Sequence, residues 1–210
     1  MRIEGAVALV TGSNRGLGEA FVTTLEERGA RVYATTRADL DITNPVHVEA
    51  AAKRCGDVTL LINNAVSATT SPLLSAPTMD VARQEMETNY FGTLAMCKAF
   101  APVLTANGGG ALVNMLSIVS FFSYPGMGSL CATKSAAWSL TNSVRLELPD
   151  TLVVGVHASF IDTRLADGFD GPKHRPEHIA GLVLDAVEAG QEEVLADERT
   201  RAVKLSALGS

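Results

Sequence analysis

The sequence predicts one α/β domain, residues 1–210, built on a doubly wound parallel sheet. Two observations carry this. Short apolar runs of strand length alternate with longer stretches of helical periodicity along the chain. A glycine-rich turn lies directly between the first such run and the first helical stretch. The length suffices for a large core, and 47% apolar with 19% charged residues is the composition of a soluble globular protein rather than a disordered one.

Ala6–Val10 is the first apolar run, bounded by Gly5 and Gly12, and reads as a strand buried on both faces. Gly12, Gly16 and Gly18 follow, then Phe21, Val22 and Leu25 at helical spacing until Gly29 ends the helix. Arg31–Thr35 reads as the second strand. A strand, glycine turn, helix and strand in this order suit a dinucleotide pyrophosphate. Glycines let the backbone close on the phosphates, and the N–H groups and dipole of the helix N-terminus stabilise their charge. Only Thr36–Leu40 separate the second strand from Asp41-Ile42-Thr43. A parallel crossover needs about a dozen residues, so no crossover helix fits there.

Asn44 reads as an N-cap and Pro45 as the first residue of a helix that passes Val48 and Ala52 to Arg54 and stops near Gly56. Val58–Ile62 is another buried strand and leads into Asn63-Asn64-Ala65-Val66. After a Ser, Thr and Pro-rich loop, 71–77, residues 79–104 read as one long helix. Gly108-Gly109-Gly110 is not a phosphate loop, because a strand, Ala111–Leu116, follows it instead of a helix. A helix over 127–147 stops before Pro149, and Leu152–Ala158 is a strand. Pro176 starts a helix with Ile179, Leu182, Val183, Ala186 and Val187 on one face, ended by Gly190. Glu193–Leu195 is the last strand.

A net charge of -6 argues against a nucleic-acid surface. The first residues lack an apolar signal core, and no run reaches the length of a membrane span. Cys55, Cys97 and Cys131 are odd in number and lack Cys-x-x-Cys spacing, which suits reduced thiols in a cytoplasm. His174 and His178 are separated by Pro176, so no continuous helix presents both and no metal is assigned. The segment 128–135 ends in Lys-Ser, but Thr133 stands where a Walker loop needs glycine, which excludes nucleotide hydrolysis.

Thr11-Gly12-Ser13-Asn14-Arg15-Gly16-Leu17-Gly18, the Asn63-Asn64-Ala65 run, and Ser117 with Lys134 together resemble the short-chain dehydrogenase/reductase family over nearly the whole chain. The resemblance implies a Rossmann-like domain that binds a nicotinamide cofactor through Gly12, Asn14, Arg15, Gly16, Leu17, Gly18, Arg37, Asp41, Asn63, Ala65, Lys134, Ile161 and Thr163. It implies catalytic roles for Ser117, Lys134 and Asn89, the asparagine holding a water beside the lysine through its carbonyl. It places Ser117, Tyr124 and Leu130 in the substrate pocket. The chain departs from the family in four places. The crossover that a helix fills in the family is only Thr36–Leu40 here, so the third strand is expected to be truncated or absent. Leu130 occupies the tyrosine position four residues before the lysine, Val66 replaces a glycine, and the usual Pro-Gly before Ile161 is missing.

Family members pass hydride between the nicotinamide and a carbonyl carbon while the tyrosine supplies the proton. A positioned acid of that kind contributes about 10²–10⁴-fold, and Leu130 has no proton to give. Three readings follow: an oxidoreductase on a carbonyl/alcohol pair with an atypical active site, a same-fold enzyme of non-redox chemistry (elimination, isomerisation or cyclisation), or a catalytically inactive cofactor-binding or interaction protein. The site that remains favours the first. NADP(H) is the expected cofactor, because Thr36 stands where an NAD site needs a carboxylate while Arg37 and Arg15 suit a 2′-phosphate. The expected partners are a small-molecule substrate and further copies of the chain. A homodimer or homotetramer is expected to pair the two long helices, whose Met96, Phe100, Trp138 and Leu140 form an apolar surplus.

Overall fold

In the computed structural model, which describes residues 1–208, six strands form one parallel sheet. They are β1 (Val7–Thr11), β2 (Arg31–Thr35), β3 (Leu60–Asn63), β4 (Ala111–Met115), β5 (Leu152–His157) and β6 (Glu193–Leu195), in the spatial order β2-β1-β3-β4-β5-β6. The order reverses between β1 and β3, which opens a crevice at the carboxyl ends of those strands.

Strand alternation sorts the core into two layers. Ala8, Val10, Leu60, Ile62, Val113, Val154 and Val156 face α1 (Gly16–Glu27) and α6 (Pro176–Glu188), where Phe21, Leu25, Ile179 and Val183 meet them. Leu9, Leu61, Leu112 and Val153 point the other way, to α2 (Pro45–Arg54), α4 (Thr93–Ala106) and α5 (Gly128–Glu147). Met96 and Phe100 are fully buried in that second layer. The apolar surplus expected to serve an interface between copies is therefore largely consumed within the subunit, with Leu140 buried too and Trp138 packed edge-on against Phe121.

After Thr35 the chain makes a turn, not a helix. Leu40 N–H donates to the Thr36 carbonyl at 2.8 Å, and Leu40 and Ile42 drop into the second core layer. The third strand is absent and β2 is the sheet edge. Asn44 caps α2 by accepting from Val46 N–H at 3.0 Å, with Pro45 as the first helical residue.

The stretch 79–104 is not one regular helix. α3 (Asp80–Met86) widens into a π-helical segment, Glu87–Gly92, before α4 continues. The wider turn accommodates a residue that a 3.6-residue period does not count. Gly92 sits at its end, where a Cβ would come within 2.7 Å of the Ile42 side chain. A seventh helix, α7 (Glu198–Leu208), follows β6 and was not expected from the sequence. Its exposed residues mix polar Glu198, Arg199, Arg201 and Ser206 with apolar Ala202 and Leu205, and Asp197 starts it by accepting from Thr200 N–H at 2.8 Å. Among the described residues no helix is long and apolar enough to cross a membrane.

Candidate functional site

The carboxyl ends of β1, β3, β4 and β5 surround a cleft of about 860 Å³. Its floor is organised by Thr11, the buried last residue of β1. The Thr11 hydroxyl accepts from both Asn64 N–H and Ala65 N–H at 3.0 Å, and Asn64 Nδ2 donates back to the Thr11 carbonyl at 2.9 Å. This clamp sets the turn after β3 against the glycine turn after β1. A Cβ on Gly18 would lie 2.2 Å from the Gly12 carbonyl oxygen, so no side chain fits there. Gly12 and Gly16 hold φ of +66° and +56°, the left-handed region that glycine enters without strain. The first turn of α1 thus presents its backbone to the cleft through Gly16 and Leu17, with Asn14 and Arg15 beside it.

Arg37 and Asp41 line the same end and pair with each other at 3.1 Å. Partial burial acts upward on the Asp41 carboxyl, but the Thr43 hydroxyl and amide together with Arg37 hold it below its ordinary value. Asp39 turns away and accepts from the Thr36 hydroxyl at 2.7 Å.

At the other end lie Ser117, Leu130 and Lys134. Ser117 follows β4, and its hydroxyl accepts from Val119 N–H at 3.3 Å in a reciprocal cap with Ser120. The Ser117 carbonyl accepts from His157 Nδ1 at 3.1 Å, because a carbonyl cannot donate and the ring nitrogen must carry the proton. His157 stacks on Phe121 with centroids 4.3 Å apart, and burial pushes its pKa down to about 4. Lys134 is 8% exposed, and its Nζ donates to the Met115 carbonyl at 2.7 Å. Burial alone pushes its pKa down to about 8. Leu130, 4% exposed, lies one turn earlier on the same helix and forms an apolar wall.

Ala65, Ile161 and Thr163 also line the cleft, as the sequence reading expects. Two residues expected in the cofactor or substrate pocket, Asn63 and Tyr124, do not. Asn63 points into the second core layer, as Leu61 does two residues earlier, and donates to Asn114 Oδ1 at 2.9 Å; strand alternation gives its neighbour Asn64 to the cleft instead. Asn89 lies in the π-helical segment, where its side chain clamps Ser67 through two bonds of 2.9 and 2.8 Å and reaches Thr133 at 3.0 Å. Its main-chain carbonyl accepts from the Thr93 hydroxyl at 2.9 Å. Tyr124 packs edge-on against Phe122 and Phe160 outside the cleft lining, held by its N–H to Cys131 Sγ at 3.2 Å.

Sequence reasoning missed Thr11, Asn64 and the brace behind the loop after β5. Ser159 N–H donates to Asp197 at 2.9 Å, and Asp162 N–H to the His174 carbonyl at 2.9 Å. An aspartate directly before a helix is the one signal in the sequence for that brace.

A family model described as short chain dehydrogenase matches residues 40–171. The NADPH carbonyl reductase 2 of Sus scrofa is 34% identical over 70% of this chain and 68% of its own. The sorbitol dehydrogenase of Cereibacter sphaeroides is 29% identical over 93% of this chain and 89% of its own. A crystal structure of a short chain dehydrogenase from Burkholderia cenocepacia in complex with NADP superposes with a TM-score of 0.95 at 42% identity, covering 100% of this chain and 95% of that one. With a glycine cradle, a serine and a buried lysine gathered at one crevice, and with these relatives, the chain belongs to the short-chain dehydrogenase family.

Proposed function

We propose that the chain is an NADP(H)-dependent oxidoreductase acting on a carbonyl/alcohol pair, with an atypical active site. The observation that carries it is the convergence of Ser117 and Lys134 on the same cleft as the glycine cradle. The cradle fits a dinucleotide: Gly18 has no room for a Cβ, the left-handed glycines bring the backbone forward, and the α1 N-terminus faces a pyrophosphate. Arg15 and Arg37 suit a 2′-phosphate, and no carboxylate follows β2 free to take ribose hydroxyls, since Asp39 is bound to Thr36 and Asp41 to Arg37 and Thr43. The NADP complex of the Burkholderia relative supports the same choice. When bound, NADPH supplies a hydride for the carbonyl carbon. Ser117 orients the carbonyl oxygen by hydrogen bonding, and Leu130 keeps one wall dry.

Leu130 also favours a second reading, non-redox chemistry or cofactor binding alone, because it removes the usual acid. Titration calorimetry with NADP(H) and NAD(H), combined with the absorbance change on adding a panel of ketones and alcohols, separates these. Equal affinity for NAD(H) would sink the cofactor assignment. Binding without absorbance change supports the second reading.

The rest of the proposal is a single domain that works in the cytoplasm as a homodimer or homotetramer. All three cysteines are free and buried, as suits a reducing compartment. Phe91 and Leu146, exposed on the long helical segments, are apolar contacts available to a second copy. A monomer mass by light scattering at micromolar concentration overturns the oligomer.

A further inference from the structure

The loss of a phenol at position 130 leaves the question of where the substrate oxygen obtains its proton, and the structure narrows the candidates to one. Tyr124 lies outside the cleft lining. His157 is fully buried, with Nδ1 committed to the Ser117 carbonyl and Nε2 3.8 Å from Glu193. The Cys131 thiol faces the Tyr124 backbone. The Ser117 hydroxyl is too weak an acid to act alone near neutral pH. Among titratable groups lining the cleft, Arg15, Arg37 and Asp41 sit on the turns after β1 and β2, while Asp162 and Arg164 are exposed on the loop after β5. Lys134 alone is buried at the end that holds Ser117 and Leu130.

We propose that Lys134 is itself the proton donor to the substrate oxygen in reduction and the acceptor in oxidation, directly or across one water, in the space that a tyrosine ring at position 130 would fill. This rests on the oxidoreductase reading. The step balances as follows. The hydride forms the new C–H bond and the C=O π pair moves to oxygen. The Lys134 N–H breaks as the O–H forms, NADPH becomes NADP⁺, and the neutral amine regains a proton from water.

The surroundings of Lys134 suit this role. No ion pair to it is found among the described residues. Its Nζ donates to the Met115 carbonyl from β4, neutral His157 at the end of β5 lies near enough to feel its charge, and Ser117 and Leu130 line the same cleft. With no carboxylate to stabilise the ammonium, burial lowers its pKa to about 8, close to working pH, where a general acid is most effective. The neutral amine still donates to Met115, so the group stays in place after giving up its proton.

The test uses the full chain with NADPH and a panel of ethyl acetoacetate, cyclohexanone, benzaldehyde and 2,3-butanedione. Trace acetylation with acetic anhydride, read by mass spectrometry across pH, titrates each lysine without turnover. Lys134 should titrate near 8. Reduction should fall about tenfold per pH unit above that point, while alcohol oxidation rises through it. Lys134→Met should lose about 10²-fold or more in reduction, with NADPH binding measured separately. Added methylammonium should restore part of it in proportion to the protonated amine. A Lys134→Met protein that keeps the parent's descending limb overturns the proposal. So does one that binds NADPH, is inactive and gains nothing from the amine, since that lysine acts by positioning alone. A parent that turns over nothing in either direction overturns the oxidoreductase reading as well, and its own inactivity distinguishes that failure.

Discussion

Leu130 and Lys134 share a helix face one turn apart, and each tells on the other. Leu130→Tyr places a phenol beside a cation that favours its ionised form. It should raise carbonyl reduction by about tenfold or more, as measured by initial rates with NADPH, and Lys134→Ala in that background should remove the gain. The wall at 130 is buried and apolar, so the ring should be accepted, with slight repacking for the extra volume. Lys134 also carries a stability cost. Its folded pKa, about 8, lies below the ordinary lysine value of 10.5, so the folded state binds fewer protons between those values. The penalty is therefore fully present below pH 8 and relieved as pH rises to 10.5, on the order of 3 kcal/mol in all. Lys134→Met removes it and forfeits the bond to Met115, worth about 1 kcal/mol. Denaturant unfolding at pH 7 should show the variant more stable by roughly 1–2 kcal/mol, with the advantage shrinking toward pH 10.

At the scale of elements, the turn between β1 and α1 was legible because its glycines stand between an apolar run and a helical period. Gly18→Ala forces a methyl to within 2.2 Å of a backbone oxygen, which cannot swing aside as a side chain can. It should weaken NADP(H) binding by at least about tenfold and destabilise by roughly 1–3 kcal/mol. Calorimetry checks the first and denaturant unfolding the second. The strands and α2 were equally legible, the strands as apolar runs and α2 from its Asn44-Pro45 start. The missing third strand was legible from length alone, since too few residues lie between Thr35 and Asp41 for a crossover. The π-helical segment was hidden because one extra residue in a turn leaves composition unchanged and only shifts phase, which sets the Asn89 side chain as a clamp on Ser67. α7 was hidden because its anchoring is polar, through Asp197 and Thr200, and leaves no apolar stripe to count. Tyr124 was misplaced because a loop carries no periodicity from which direction can be read.

Across the whole molecule, His157 joins parts that are far apart in sequence. It ends β5, holds the Ser117 carbonyl, stacks on Phe121, meets Trp138 edge-on, and faces Glu193 of β6, which pairs with Lys204 of α7. Its folded pKa of about 4 lies below the ordinary histidine value of 6.5, so the unfolded chain binds the extra proton first. Stability should therefore fall as pH drops from 6.5 toward 4, by about 1.4 kcal/mol per unit at most and roughly 3 in total. Global unfolding of parent and His157→Asn across that window checks it, since the variant should show a shallower slope. The edge position of β2 has a different consequence. Arg31 N–H donates to the Ala6 carbonyl, so alternation turns the Val32 and Ala34 amides outward, where no strand receives them. Those two amides should exchange with deuterated water early, while the Arg31 and Tyr33 amides exchange late. The strand that supports one end of the cleft is thus fastened along one side only. Protection gained at this border on adding cofactor would measure the order that binding imposes there.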